Sequence, residues 1–185
     1  PINSGSILFD QIDMQYIEKK SLRRKVISVP KQIDLFKGSL LENIALGEFE
    51  PDMNEIFNLI DIFHFSEFIA GLPNGLESYV AEKGINFSGG EKQKIGLMRA
   101  FYKKPSIVLL DETTSELDRI SERKVLKALK KFSNDGITIL IVTHRIEVMK
   151  MADSIAFLHN GKIMEEGSYQ NLITKKGSFY NFVNY

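Results

Sequence analysis

The 185-residue chain has no cysteine. That excludes disulfides and thiolate-held metal, and it suits a reducing compartment. It has no excess of either charge. Lys and Arg number 24, Asp and Glu number 24, and the formal net charge of +0 gives no global field to draw in DNA, RNA or an anionic lipid surface. No nucleic-acid partner is therefore expected. No apolar run approaches the roughly 18–20 residues that cross a bilayer, so any membrane segments this chain serves would lie elsewhere. No secretory signal, internal repeat or low-complexity tract stands out. What is there is ordinary: 43% hydrophobic and 26% charged residues suit one globular domain, or one domain with an inserted subdomain.

The pattern of the remaining residues predicts a mixed architecture. Residues 6–9 read as a short strand ending at Asp10-Gln11. Residues 25–29 read as a strand stopped by Pro30, which has no N–H to give to a ladder. A serine cap opens a short helix over 39–46. Apolar residues at Ile56, Phe57, Ile60, Phe63 and Phe68 predict a helix over 54–69. Helices are expected over 88–102 and 119–131, with a strand over 106–110 between them. The β-branched run at 137–142 reads as a strand buried on both faces. Asn160-Gly161 joins 154–159 to 162–165 as a hairpin, and the tail 169–185 reads as helical with a break at Gly177. Apolar strands alternating with helices make this an α/β chain with a parallel-sheet core. The core is assigned to 1–38 and 103–185, and a mainly helical subdomain to 39–102.

Two stretches carry chemistry. Phe87-Ser88-Gly89-Gly90-Glu91-Lys92-Gln93-Lys94 sets a serine and two glycines at the start of a helix. A helix N-terminus offers free N–H groups and a positive dipole end to a phosphate, and glycine lets the phosphate come close. Ser-Gly-Gly alone is more often a turn and a helix cap. The second stretch is Ile107-Val108-Leu109-Leu110-Asp111-Glu112, an apolar strand ending in two carboxylates. One of these can hold Mg²⁺ and its neighbour can orient or deprotonate water. A lone histidine is usually structural or merely exposed, and His64 and His159 are read that way. His144 differs because it follows the strand at 137–142.

Together these stretches resemble the ATPase (nucleotide-binding) subunit of an ABC transporter. Ser88-Gly89-Gly90-Glu91, continued by Lys92-Gln93-Lys94-Ile95 and Arg99-Ala100, resembles the family's signature, usually Leu-Ser-Gly-Gly-Gln. The resemblance implies that Ser88, Gly89, Gly90 and Glu91 contact ATP held by a second nucleotide-binding domain in a head-to-tail dimer. Asp111 would hold Mg²⁺ through water, and Glu112 would polarise the attacking water. Thr113-Thr114-Ser115-Glu116-Leu117-Asp118 resembles the family's D-loop, usually Ser-Ala-Leu-Asp, which implies partner contacts for Ser115 and Asp118. His144 matches the switch histidine. Leu72-Pro73-Asn74-Gly75, the 79–84 stretch and the 161–173 tail resemble exporters. Glu82 and residues 32–43 would then meet the transmembrane domains, at the cytoplasmic face of a membrane.

The resemblance has departures. Val29-Pro30-Lys31-Gln32-Ile33-Asp34-Leu35-Phe36 resembles the family's Q-loop, but counting back from Leu35-Phe36 puts Lys31 where glutamine belongs. Either a one-residue adjustment brings Gln32 in, to sense Mg²⁺ and the γ-phosphate, or the site is altered. An ammonium within about 4 Å of Mg²⁺ is repelled by several kcal/mol, so Gln32 is expected to take the role. Nothing matches Gly-x-x-x-x-Gly-Lys-Ser/Thr, the family's Walker A, so a truncated chain that is inactive alone is expected. The expected function is the C-terminal part of an exporter ATPase domain, an incomplete P-loop-NTPase core that works with MgATP. Its rivals are a non-transport ABC ATPase and a non-catalytic regulatory or interaction module.

Overall fold

A computed structural model describes residues 4–184. Pro1, Ile2, Asn3 and Tyr185, which the domain and tail assignments included, lie outside the described residues. The chain divides into two units, Pro1–Val142 and Thr143–Tyr185.

The first unit is built around a parallel sheet. It opens with a hairpin of β1 (Leu8–Phe9) and β2 (Ile12–Asp13). Asp10 and Gln11 both adopt positive φ, as a two-residue hairpin turn demands. Helix α1 (Lys19–Lys25) follows. The sequence pattern gives no sign of it, because five of its seven residues are cations and Leu22 alone gives no periodicity. It claims Lys25, so the next strand, β3 (Val26–Val29), begins one residue later than expected and ends at Pro30. After the helical region come β6 (Ile107–Asp111) and β7 (Thr138–Val142), and the sheet order is β3-β6-β7, parallel throughout. The central strand buries Val108 and Leu110.

The third strand of this sheet departs from the sequence expectation. The 137–142 run is not buried on both faces, since Leu140 is 60% and Val142 59% exposed. Among the described residues this edge strand pairs with β6 alone, and its side chains alternate between half-buried and exposed.

The helical region begins with a two-stranded ladder between β4 (Gly38–Ser39) and β5 (Tyr79–Val80). Ser39 and Glu42 form a capping box that starts α2 (Leu40–Ile44). The helix expected over 54–69 is two helices, α3 (Met53–Ile62) and α4 (Ser66–Ala70). His64 between them takes φ +51 and breaks the helical path. The long helix α5 (Gly89–Tyr102) packs on both α2 and α3 and reaches β3. Helix α6 (Arg119–Asn134) continues past the expected end at Lys131. Phe63, Phe101 and Phe132 join α3, α5 and α6 through ring pairs 4.2–5.9 Å apart. This aromatic knot holds the Gly-Gly helix against the helix that follows the acidic strand end.

The second unit contains α7 (Ile146–Met151), the antiparallel pair β8 (Ile155–His159) and β9 (Lys162–Gly167), α8 (Tyr169–Lys175) and α9 (Ser178–Val183). Asn160 and Gly161 turn the hairpin with positive φ. Its core is Met149, Leu172 and Phe179, with Phe157 packed against it. The expected break at Gly177 is present. A side chain there would strike Glu165, whose carboxylate accepts the Phe179 N–H at 2.7 Å.

Candidate active site

The carboxyl ends of β3 and β6 set the first half of the site. Ligands of open parallel sheets gather at that edge. Asp111 ends β6 and is exposed, level with Val142 on β7. Glu112 follows in a left-handed conformation, φ +47, and its N–H donates to the Val142 carbonyl at 3.0 Å. A non-glycine residue in this region carries strain, which is often found where a side chain must be aimed. Val29 on β3 is in register with Leu110 on β6. Lys31 and Glu112 each stand two residues further on, so parallel pairing brings them abreast. The Lys31 ammonium donates to Glu112 Oε2 at 2.6 Å. Lys31 is held above the ordinary lysine value, first by that hydrogen bond, then by the Glu112 charge, with Asp111 and Glu116 adding to it. Gln32, one residue on, is exposed.

The second half is the start of α5. Ser88 Oγ accepts the Glu91 N–H at 3.4 Å, and Glu91 Oε2 accepts the Ser88 N–H at 2.7 Å. Glu91, the residue that replaces the commoner glutamine, thus completes a capping box. The turn after Glu112 lies over this helix end. A side chain at Gly89 would collide with the Glu116 carboxylate, and one at Gly90 would lie 3.2 Å from the Glu116 carbonyl oxygen. At Gly90 the tight neighbour is backbone, while at Gly89 it is the end of a flexible side chain that could swing aside. Gln93 locks the two pieces together: its amide donates to Ser115 Oγ at 3.4 Å and accepts the Glu116 N–H at 3.2 Å. Gln93 is 1% exposed. Its signal in the sequence is a polar residue on the stripe that continues through Leu97 and Phe101.

Asp118 caps α6, accepting N–H bonds from Ile120 at 2.9 Å and Ser121 at 3.0 Å. Its carboxyl is held below the usual range, first by the Ser121 hydroxyl and then by the Ser121 N–H. With the folded value depressed, the cap stabilises above the ordinary 3.8 and fades as pH falls through the lower folded value. Asp118→Ala is expected to lower the thermal midpoint at pH 7, with a deficit that shrinks below pH 3.8. A deficit that does not change with pH would mean that the charge contributes nothing.

His144 lies in the second unit, exposed, in the turn before α7. There the Arg145 N–H donates to Thr143 Oγ1 at 3.0 Å. Glu82 begins a one-turn 3₁₀ helix, Glu82–Gly84. The β4–β5 ladder joins residues 32–43 to residues 79–84, and Leu35 packs onto Gly84. Around this junction Phe36, Tyr79 and Ile85 are 53%, 57% and 79% exposed. Arg99 on α5 ties into the same segment, with its Nε donating to the Asn43 carbonyl at 2.8 Å and its Nη1 to the Asp34 carbonyl at 3.2 Å. No cluster of three or more His, Asp or Glu among the described residues is placed to hold a metal by itself. No helix among them is long and apolar enough to cross a membrane.

A family model described as "ABC transporter" matches residues 1–115. The human protein ATP-binding cassette sub-family B member 5 is 40% identical over 97% of this chain and 14% of its own length. The heterocyst differentiation ATP-binding protein HepA of Nostoc is 35% identical over 96% of this chain and 29% of its own. A solved bacterial Atm1-family ABC exporter with ATP bound matches with a TM-score of 0.92 at 31% identity, over 98% of this chain and 32% of that one. The chain therefore spans a third or less of each of these relatives.

Proposed function

The chain belongs to the ABC transporter family, and from that premise we propose that it is the C-terminal part of an exporter-type ATPase domain, coupling ATP binding and hydrolysis to export across a membrane. The observation that carries this reading is the junction at Gln93. It fastens the turn that follows an acidic strand end to a glycine-opened helix. Those are the two half-sites that a head-to-tail pair of such domains would present to two nucleotides. Residues 39–102 would form the signature subdomain, and the rest the core.

In this reading Ser88, Gly89, Gly90 and Glu91 face the γ-phosphate of ATP held by the second domain. Ser115 and Asp118 line the contact between domains. Glu112 accepts a proton from water as the water oxygen bonds to the γ-phosphorus. The bond from that phosphorus to the β–γ bridging oxygen breaks, releasing ADP and phosphate. His144 holds the γ-phosphate and orients that water. Asp111 and Gln32 would hold Mg²⁺ through water. A lone strand-end carboxylate fits this ion, which keeps several waters and takes phosphate oxygens for the rest. When bound, the ion would offset charge building on the phosphates. The exposed junction of residues 32–43 with the Glu82 segment would dock on transmembrane domains at the cytoplasmic face of the membrane.

The test is Gln32→Ala in the full-length transporter, read as Mg²⁺-dependent ATP hydrolysis. Turnover is expected to be crippled. A harmless Gln32→Ala would mean an altered site with no role for Gln32.

A further inference from the structure

We propose that Lys31 is a positioning residue that restrains Glu112, its ammonium occupying the carboxylate oxygen needed by the attacking water until a phosphate draws the ammonium away. The inference rests on Glu112 being the base of the proposed ATPase.

The restraint comes from the sheet. Parallel register at Val29 and Leu110 sets Lys31 beside Glu112, and the contact is 2.6 Å long. The backbone that aims Lys31 is fixed on both sides. Buried Val29 and the ring of Pro30 precede it, and buried Ile33 and Leu35 follow. The side chain is the part free to move. Lys31 is 55% exposed while Glu112 is 25% exposed, so the ammonium reaches in from solvent towards a better shielded carboxylate. A carboxylate oxygen engaged by an ammonium accepts less from water, because the cation has already lowered its negative potential. The same ammonium repels Mg²⁺ next to Asp111. An arriving γ-phosphate carries more charge than one carboxylate and competes for the lysine. Departure of Lys31 would then take the ammonium off Glu112 Oε2 and relieve the repulsion in one movement.

The experiment is steady-state ATP hydrolysis by the full-length transporter, with Mg²⁺ as the varied component. Lys31→Met is expected to raise turnover about two- to fivefold, the range set by a solvent-exposed ion pair. It should also lower the Mg²⁺ concentration needed for half-maximal rate. Lys31→Arg, which keeps the cation, is expected to restore the restrained rate. In a Glu112→Gln background Lys31→Met should give no rise, since no carboxylate remains to release. Unchanged or reduced turnover in Lys31→Met, in an enzyme that still depends on Glu112, overturns the restraint alone. An enzyme indifferent to Glu112→Gln overturns the assigned base, and the restraint with it.

Discussion

Glu112→Gln in the full-length transporter is expected to slow ATP turnover by roughly 10²–10⁴-fold while ATP still binds, the usual range for losing a general base. Glutamine has the same length and can occupy the same backbone conformation. The bond that anchors residue 112 runs from its N–H to the Val142 carbonyl at 3.0 Å and is untouched by the change. That backbone anchor therefore has no reason to respond. What disappears is a carboxylate able to take the proton of water. The check is a pair of measurements, equilibrium ATP binding and phosphate release. Retained binding with slowed release supports the assignment. An unchanged turnover number means that Glu112 is not the base and strengthens the reading of a non-catalytic interaction module.

Short-range signals in the sequence were legible because the causes were local. Ser39 starts a helix since its hydroxyl and Glu42 satisfy each other's end of the first turn. Asn160-Gly161 turns a hairpin since both residues tolerate positive φ. The α/β class, the parallel core and the tail hairpin with its helices followed from such patterns. Helix α1 did not, because a cationic surface helix has no apolar stripe. The break at His64 was hidden because a left-handed residue is signalled by glycine, not by histidine. The half-exposure of β7 was hidden because a β-branched run reads the same at a sheet edge as at its centre.

The candidate site divides along the same line. Ser88, Gly89, Gly90, Asp111, Glu112 and His144 are assigned to it from motifs contiguous in the chain. The Lys31–Glu112 pair spans 81 positions and exists only through strand register. Gln93 was visible as part of a pattern, but its job, bonding Ser115 and Glu116 across the α5 start, requires two segments to meet in space.

On the proposed function this chain holds part of a nucleotide site and needs a phosphate loop to complete it. Nothing in its 185 residues matches the glycine-rich loop whose N–H groups and lysine cradle the phosphates. A catalytic carboxylate cannot replace those donors, since it repels the same phosphates. Calorimetric titration with MgATP of the 185-residue chain, beside the full-length transporter, tests this directly. The chain alone is expected to show no micromolar binding and no hydrolysis, and the full-length protein both. Micromolar MgATP affinity in the chain alone, or a full-length protein that neither binds nor hydrolyses MgATP, would contradict it.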